Sequence, residues 1–195
     1  MESLKNKILA EGQVMGTEII KVDNFLNQQI DALFMYEIGK EFKRRFEGKE
    51  VNKILTIEAS GIAIAVCTAQ SFGHPPVVYA KKAKPDNLDD AFYSYIDKSL
   101  TKNTVSHVSI AKKFLSPGDK VLIIDDVVAY GDASLALCDL VKQAGAHVVG
   151  VGAVIDKEFQ GGSARLRESG YTIEALAVIE KIEDGKITFK NAKKT

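Results

Sequence analysis

Short apolar runs and helix-spaced apolar positions alternate along most of the chain. The runs are dominated by Val, Ile, Leu and Ala, which predicts strands buried on both faces of a sheet. The predicted strands are residues 54–57, 77–80, 121–124, 148–155 and 172–179. The predicted helices are residues 32–46, 61–73, 134–145 and 162–168. This alternation indicates an α/β protein with a mostly parallel, twisted sheet flanked by helices.

Signals at the ends of individual elements support this assignment. In the first predicted helix, Phe34, Ile38 and Phe42 recur at every fourth position, and Asp31 stands in the N-cap position ahead of them. Near the C-terminus, the Glu-Asp-Gly segment at 183–185 separates two apolar runs. That segment predicts a tight hairpin turn.

Two segments do not fit a minimal α/β core. Residues 1–30 are too polar for the core, and we interpret them as a separate N-terminal segment. Residues 81–113 are long, polar and rich in lysine, as is common for a functional lid. Within this second segment, residues 91–96 and 104–110 have alternating patterns that predict an antiparallel pair.

Length and charge limit the possible functions. The 195 residues suffice for one domain with a buried core, and they contain no repeat or low-complexity tract. Lys plus Arg and Asp plus Glu both number 26, so no net charge favours nucleic acid or an anionic membrane. No signal peptide is recognisable, and no apolar stretch approaches the roughly 20 residues of a membrane span. We therefore expect a cytoplasmic protein without nucleic-acid or membrane partners.

Cysteine and histidine usage predicts neither a disulfide framework nor a metal centre. Cys67 and Cys138 both lie in apolar runs, which favours reduced and buried side chains. The three histidines, His74, His107 and His147, are scattered without the spacing of metal ligands. We expect no metal ion held directly by the protein.

Residues 121–134, V-L-I-I-D-D-V-V-A-Y-G-D-A-S, are the strongest candidate for chemistry. Asp125 and Asp126 stand where the apolar strand is predicted to end, Gly131 lies in a short loop, and Ser134 opens a predicted helix. A helix N-terminus offers free N–H groups to a phosphate, and the carboxylates can accept hydrogen bonds from sugar hydroxyls. An Asp pair alone is usually a solvated strand tip, but the ordered set favours a sugar-phosphate site.

Three further segments are predicted at the carboxyl ends of neighbouring parallel strands, where ligands of open α/β sheets bind. The small residues of 58–61 allow backbone N–H groups to approach a second anion, although a plain strand-to-helix turn has the same composition. Lys81 and Lys82 are cations suited to an anionic ligand, although surface lysines are usually only solvated. Lys157, after Asp156, can donate to a carbonyl of a ligand, or the two can be a solvated charged pair.

The 121–134 motif resembles the phosphoribosyl pyrophosphate signature of the type I phosphoribosyltransferases. Together with K-V-D-N-F-L-N-Q-Q-I-D at 21–31, I-E-A-S-G-I at 57–62 and V-I-D-K-E-F-Q-G-G at 154–162, it resembles the xanthine-using, purine-salvage branch of that family. The resemblance implies the family's fold, with an N-terminal hood (1–30) and a long flexible lid loop (81–113). It also implies phosphoribosyl transfer to xanthine with Mg²⁺ bound beside phosphoribosyl pyrophosphate, by a homodimer.

The resemblance also implies roles for individual residues. Asp125 and Asp126 would be the catalytic pair that holds the ribose hydroxyls. The residues implied for binding phosphoribosyl pyrophosphate are Ala129, Tyr130, Gly131, Asp132, Ala133, Ser60, Lys81 and Lys82. Those implied for binding xanthine are Ile20, Asn27 and Lys157. The lysine pair would reach the site of the partner subunit.

The motif departs from the family pattern in two respects. Ala129 stands where hypoxanthine-guanine enzymes carry a third acid, so no general base is identified. Tyr130 and Ala133 remove hydroxyls that many relatives place around the loop glycine, and Asp132 adds a negative charge near a phosphate. Backbone N–H groups suffice for phosphate binding if Asp132 points outward, and Ser134 is then the remaining hydroxyl candidate.

Other functions remain open from the sequence. Adenine, hypoxanthine or guanine as the base would need only a few changed donors and acceptors. A phosphoribosyl pyrophosphate-sensing gene regulator on the same fold would need a basic or winged-helix surface, which zero net charge disfavours. A nucleotide-cofactor oxidoreductase is less favoured, because no G-x-G-x-x-G turn follows a predicted strand.

Overall fold

A six-stranded, mostly parallel sheet forms the centre of the protein, which we describe from a computed structural model covering residues 1–83, 91–99 and 104–190. In chain order the strands are β1 (Gln13–Met15), β2 (Ile19–Lys21), β3 (Lys53–Ile57), β4 (Val77–Ala80), β5 (Phe92–Ser99), β6 (Thr104–Ala111), β7 (Lys120–Val128), β8 (His147–Lys157), β9 (Ile173–Glu183) and β10 (Lys186–Phe189). The central sheet has the order β10-β9-β8-β7-β3-β4, with only β10 antiparallel. The predicted fold class is confirmed.

In the part of the chain that the structure describes, five α-helices accompany the strands. They are α1 (Glu2–Glu11), α2 (Ala32–Arg45), α3 (Gly61–Ser71), α4 (Asp132–Gln143) and α5 (Gly162–Glu168). A π-helical turn covers Asp23–Asn27, and 3₁₀ turns cover Lys112–Phe114 and Glu158–Gln160. No helix among the described ranges is long and apolar enough to cross a bilayer.

The sheet separates two hydrophobic cores because successive strand residues face opposite sides. In β7, Leu122 and Ile124 face the core shared with α1, α2 and α3. Val121 and Ile123 face the core shared with α4, α5 and the β5–β6 hairpin. The predicted N-cap holds α2 in place, since the Phe34 N–H donates to the Asp31 carboxylate at 3.1 Å.

Both predicted antiparallel pairs are present. β5 pairs with β6 over their full described lengths, from Phe92 opposite Ala111 to Ser99 opposite Thr104. β9 and β10 are joined by Asp184 and Gly185, which both have positive φ angles, as a two-residue hairpin turn requires. Of the predicted lid loop, residues 84–90 and 100–103 lie outside the described residues.

Three expectations were wrong. Residues 1–30 do contribute to the core, because amphipathic spacing lets Leu4, Ile8 and Phe25 be buried while their polar neighbours face outward. The strand around 121–124 does not end before the acid pair, because β7 stays paired with β8 as far as Val128. Cys67 is free but only half-buried, in contrast to the buried Cys138.

Candidate active site

The topology gathers the candidate residues at one edge of the sheet. From β3 the chain moves outward to β4 in one direction, and later to β7, β8 and β9 in the other. The strand order therefore reverses between β3 and β7, the position where open α/β sheets bind ligands. The carboxyl ends of β3, β4, β7 and β8 all meet at this edge because the four strands are parallel.

The two acids of the motif have different surroundings. Asp125 is 3% exposed and lies on the α4 side of β7, whereas Asp126 is only half-buried. The Ser134 hydroxyl donates to Asp125 Oδ2 at 3.0 Å, and the Asp126 N–H donates to Asp125 Oδ1 at 3.1 Å. Asp126 is therefore the more accessible carboxylate, and Asp125 is held in a fixed position beneath it.

Burial, and after it the neighbouring Asp126 carboxylate, raises the pKa of Asp125 to about 7. The hydrogen bond from Ser134 acts in the opposite direction, because a donor stabilises the charged form. A positive charge close to this pair would offset the free-energy cost of keeping the buried carboxylate ionised. Such a shifted pKa at a ligand-binding sheet edge is typical of functional carboxylates.

The loop after β7 has the shape of an anion-binding loop. Gly131 caps α4 with φ 84°, a left-handed conformation that side chains disfavour. Helix α4 then begins at Asp132, two residues before the predicted start at Ser134. Its first N–H groups have no partner within the helix, and together with the helix dipole they favour an anion.

Ser134 differs from expectation in this region, whereas Asp132 meets the condition set for phosphate binding. Ser134 was the remaining hydroxyl candidate for the phosphate, but its side chain is 1% exposed and donates to Asp125 instead. Asp132 does point outward, as phosphate binding requires. Its carboxylate forms an ion pair with Arg165 Nη1 of α5 at 2.7 Å.

The end of β4 is linked to the Glu58 side chain after β3 and to the backbone of β6. The Lys82 N–H donates to Glu58 Oε1 at 2.7 Å, and Lys81 exchanges two backbone hydrogen bonds of 3.0 Å with Ser109 of β6. Both lysines are exposed directly after β4, beside the turn that leads to Ser60. The Glu58–Ala59 peptide in that turn is cis.

Lys157 connects the central sheet to the N-terminal hood. Its Nζ donates to the Glu18 carbonyl at 2.8 Å, and burial lowers its pKa. Ile20 follows in β2, half-buried and paired with Val14. Asn27 is exposed at the end of the π-helical turn, and the cap of the following helix is Asp31 rather than Asn27. The structure thus places Lys157 beside the strand that carries Ile20.

Two features at this edge were not anticipated. Asp156 is completely buried rather than solvated, and burial raises its pKa. Arg165 was not selected because an arginine on an exposed helix face has no distinctive local signal. The unbalanced charge of Asp132 in a predicted phosphate loop was the one indication that a cation should lie nearby.

The family model, the relatives and the solved structure that match this chain are all phosphoribosyltransferases. The family model of the phosphoribosyl transferase domain matches residues 22–171. A xanthine phosphoribosyltransferase from Clostridium novyi is 51% identical over 98% of this chain and 100% of the relative, and one from Clostridioides difficile is 50% identical over 97% and 100%. The crystal structure of an adenine phosphoribosyltransferase from Rhodothermus marinus has a TM-score of 0.73 at 18% identity, covering 92% of this chain and 100% of that one.

Proposed function

Because the chain belongs to the phosphoribosyl transferase family, we propose that it is a purine-salvage enzyme that uses xanthine as the acceptor base. The reaction joins xanthine to 5-phosphoribosyl 1-pyrophosphate and gives xanthosine 5′-monophosphate and pyrophosphate. About 50% identity over nearly the full length of named xanthine phosphoribosyltransferases supports this assignment most strongly. The cytoplasmic location expected from the sequence stays a prediction.

The loop after β7 would bind the 5-phosphate. The backbone from Ala129 to Ala133 passes from the end of β7 into the first turn of α4 around Gly131. Free N–H groups at a helix N-terminus are suited to a phosphate and need no side-chain hydroxyl. Replacement of the hydroxyl-bearing residues by Tyr130 and Ala133 is therefore compatible with phosphate binding.

Asp125 and Asp126 would act on the ribose. The C1–O bond to pyrophosphate breaks, a ring nitrogen of the base bonds to C1, and the base loses one proton. Positive charge develops on the ribose ring while the leaving group departs, so fixed carboxylates beside the ring stabilise the transition state. The half-buried Asp126 would accept from the hydroxyls, and the neighbouring Asp125 would add negative charge.

The carboxylates also fit the expected magnesium ion. Mg²⁺ prefers oxygen ligands and is usually held by one or two carboxylates together with substrate phosphates. Pyrophosphate and ribose oxygens would hold most of the ion, as expected from the sequence, and the accessible Asp126 carboxylate at the sheet edge would add negative charge beside it. When bound, the ion would neutralise charge on the leaving pyrophosphate. Ser60 would hold the same leaving group from the end of β3, and the exposed Lys81 and Lys82 would hold it in the partner's site.

The hood and the end of β8 would hold the base. Lys157 is a donor with two remaining protons on Nζ after its bond to Glu18, and its pKa is lowered by burial. A carbonyl oxygen of xanthine is a suitable acceptor for it. Ile20 offers apolar contact beside it, and the exposed amide of Asn27 can donate to the second carbonyl. Asn27→Ala should then lower the preference for xanthine over hypoxanthine without affecting the affinity for phosphoribosyl pyrophosphate.

We also propose a homodimer in which Lys81 and Lys82 act in the partner's site. Both lysines are exposed beyond β4, the edge strand of the described sheet. A chain carrying Lys81→Ala and Lys82→Ala can be mixed with an Asp126→Asn chain. Shared sites would regain one intact copy in each mixed dimer, and activity should recover. Activity that stays at the level of the two inactive parents contradicts sharing.

The catalytic assignment is tested by substitution of the acid pair. Asp126→Asn removes the accessible charge with little change of shape, and we expect turnover to fall by ~10²-fold or more while the protein stays folded. Asp139→Asn, at a half-buried acid in the middle of α4, is the matched control and should keep its turnover. Turnover close to that of the unsubstituted enzyme in both Asp125→Asn and Asp126→Asn would remove this role from the motif.

A further inference from the structure

Arg165 lies directly behind the candidate phosphate loop. Its Nη1 donates to Asp132 Oδ1 at 2.7 Å and also to the carbonyl oxygen of Tyr130. One guanidinium thus contacts both a carboxylate and a backbone carbonyl of the same loop. We propose that Arg165 is a positioning residue that fixes this loop and neutralises Asp132, so that the loop accepts the 5-phosphate. This inference rests on the proposed function.

The contact is part of a close fit between α5 and the loop. The Gly162 N–H donates to the Ala129 carbonyl at 3.0 Å. A Cβ atom at position 162 would lie 2.4 Å from that carbonyl oxygen and 2.5 Å from the Gly131 nitrogen, which is closer than real contacts allow. Only glycine permits this approach, and it brings the first turn of α5, with Arg165 one turn further on, against the loop backbone.

The charge of Asp132 explains why a cation is needed here. Asp132 is the first residue of α4, where the N–H groups and the helix dipole attract an anion. An unpaired carboxylate at this position competes for the same N–H groups and repels a phosphate that carries up to two negative charges. The ion pair with Arg165 removes both effects.

Stability alone does not account for the pair. The side chains of Arg165 and Asp132 are 49% and 53% exposed, and ion pairs at such sites contribute little to folding. The bond to Tyr130 has a more specific effect. Because the peptide is planar and trans, a carbonyl held toward Arg165 keeps the Gly131 N–H on the opposite side of that peptide. Arg165 Nη1, which also binds Asp132, therefore fixes the orientation of one donor in the loop.

Steady-state kinetics of four variants test the proposal. Arg165→Gln should raise KM for phosphoribosyl pyrophosphate about tenfold, while kcat and KM for xanthine change less than about twofold. Arg165→Lys keeps the charge on a shorter side chain without the guanidinium group and should give an intermediate KM. Adding Asp132→Asn to Arg165→Gln removes the unpaired carboxylate and should bring KM back to within about threefold of the unsubstituted enzyme. Arg44→Gln, which breaks an exposed Arg–Glu pair on α2, is the control and should change neither KM.

The outcomes separate this inference from the proposed function. If the unsubstituted enzyme does not use phosphoribosyl pyrophosphate, the proposed function itself fails. If it does, and Arg165→Gln keeps KM within about twofold, Arg165 has no positioning role. A higher KM that Asp132→Asn fails to lower, or an equal rise of both KM values, would also overturn the proposal, because charge neutralisation would then not be the cause. Thermal unfolding of each variant checks that the fold is intact.

Discussion

Asp125→Asn should make the protein progressively more stable, relative to the unsubstituted chain, as pH rises from 5 to 8. Asp125 is 3% exposed, and burial is the main cause that raises its pKa from 3.8 to about 7. The folded state therefore binds a proton that the unfolded state releases above about pH 4. This proton-linked stability is fully present below pH 3.8 and is lost as pH rises through about 7.

The size of the effect follows from the two pKa values. Each pH unit between them costs about 1.4 kcal/mol, so the interval from pH 5 to about 7 corresponds to roughly 3 kcal/mol. Asparagine cannot ionise and has almost the same shape. Its carbonyl can still accept from the Ser134 hydroxyl, and its amide can donate to Asp126. The difference in unfolding free energy between the two proteins should therefore move by about 3 kcal/mol in favour of Asp125→Asn.

Urea unfolding at pH 5, 6.5 and 8 measures this difference, at fixed protein concentration because association changes apparent stability. Asp184→Asn makes the same chemical change in the exposed β9–β10 turn, and it controls for the substitution itself. Parallel stability curves for Asp125→Asn and the unsubstituted chain would refute the reasoning. The pKa of Asp125 would then not be raised by burial. Ionising Asp125 in the folded protein would cost no extra free energy, so a cationic transition state would have no such cost to offset.

Three further substitutions probe separate parts of the structure. Lys157→Ala should weaken binding of the base by ~1–3 kcal/mol and leave the affinity for phosphoribosyl pyrophosphate unchanged, with Lys181→Ala as the control. If separate titrations show that both ligands bind equally more weakly, Lys157 does not contact the base. In Gly162→Ala the added Cβ would lie 2.4 Å from the Ala129 oxygen, so α5 should move away from the loop and KM for phosphoribosyl pyrophosphate should rise. An unchanged KM would show that the loop tolerates this movement. Asp31→Ala should lower the thermal midpoint by a few degrees at unchanged turnover, as measured by scanning calorimetry; an unchanged midpoint means that the N-cap bond adds nothing.

The central sheet was predictable because its signals are local. The apolar run at 77–80 coincides with β4, and the Asp31 cap marks the start of α2 as expected. The end of β7 was not predictable, because the pairing of Val128 with Asp156 depends on a strand almost thirty positions away. Likewise, α1 belongs to the core because β9 and α2 are available to cover its apolar side, which the polar composition of residues 1–30 does not reveal.

The sequence indicated which residues form the candidate site, but not how those residues contact one another. Spacing and the resemblance identified the acid pair and the loop, but burial divides that pair into an accessible Asp126 and an enclosed Asp125. Ser134 was assigned to the phosphate because its direction was unknown, and it donates to Asp125 instead. The ion pair between Asp132 and Arg165 joins positions 33 residues apart, so only the folded chain brings it together.

Base competition tests the central claim most directly. The enzyme is supplied with phosphoribosyl pyrophosphate, Mg²⁺ and one of xanthine, hypoxanthine, guanine or adenine, and pyrophosphate release gives kcat/KM for each base. A site with donors placed for both xanthine carbonyls should prefer xanthine by about tenfold or more over each other base. A preference for adenine, or no pyrophosphate release with any base, would contradict the account.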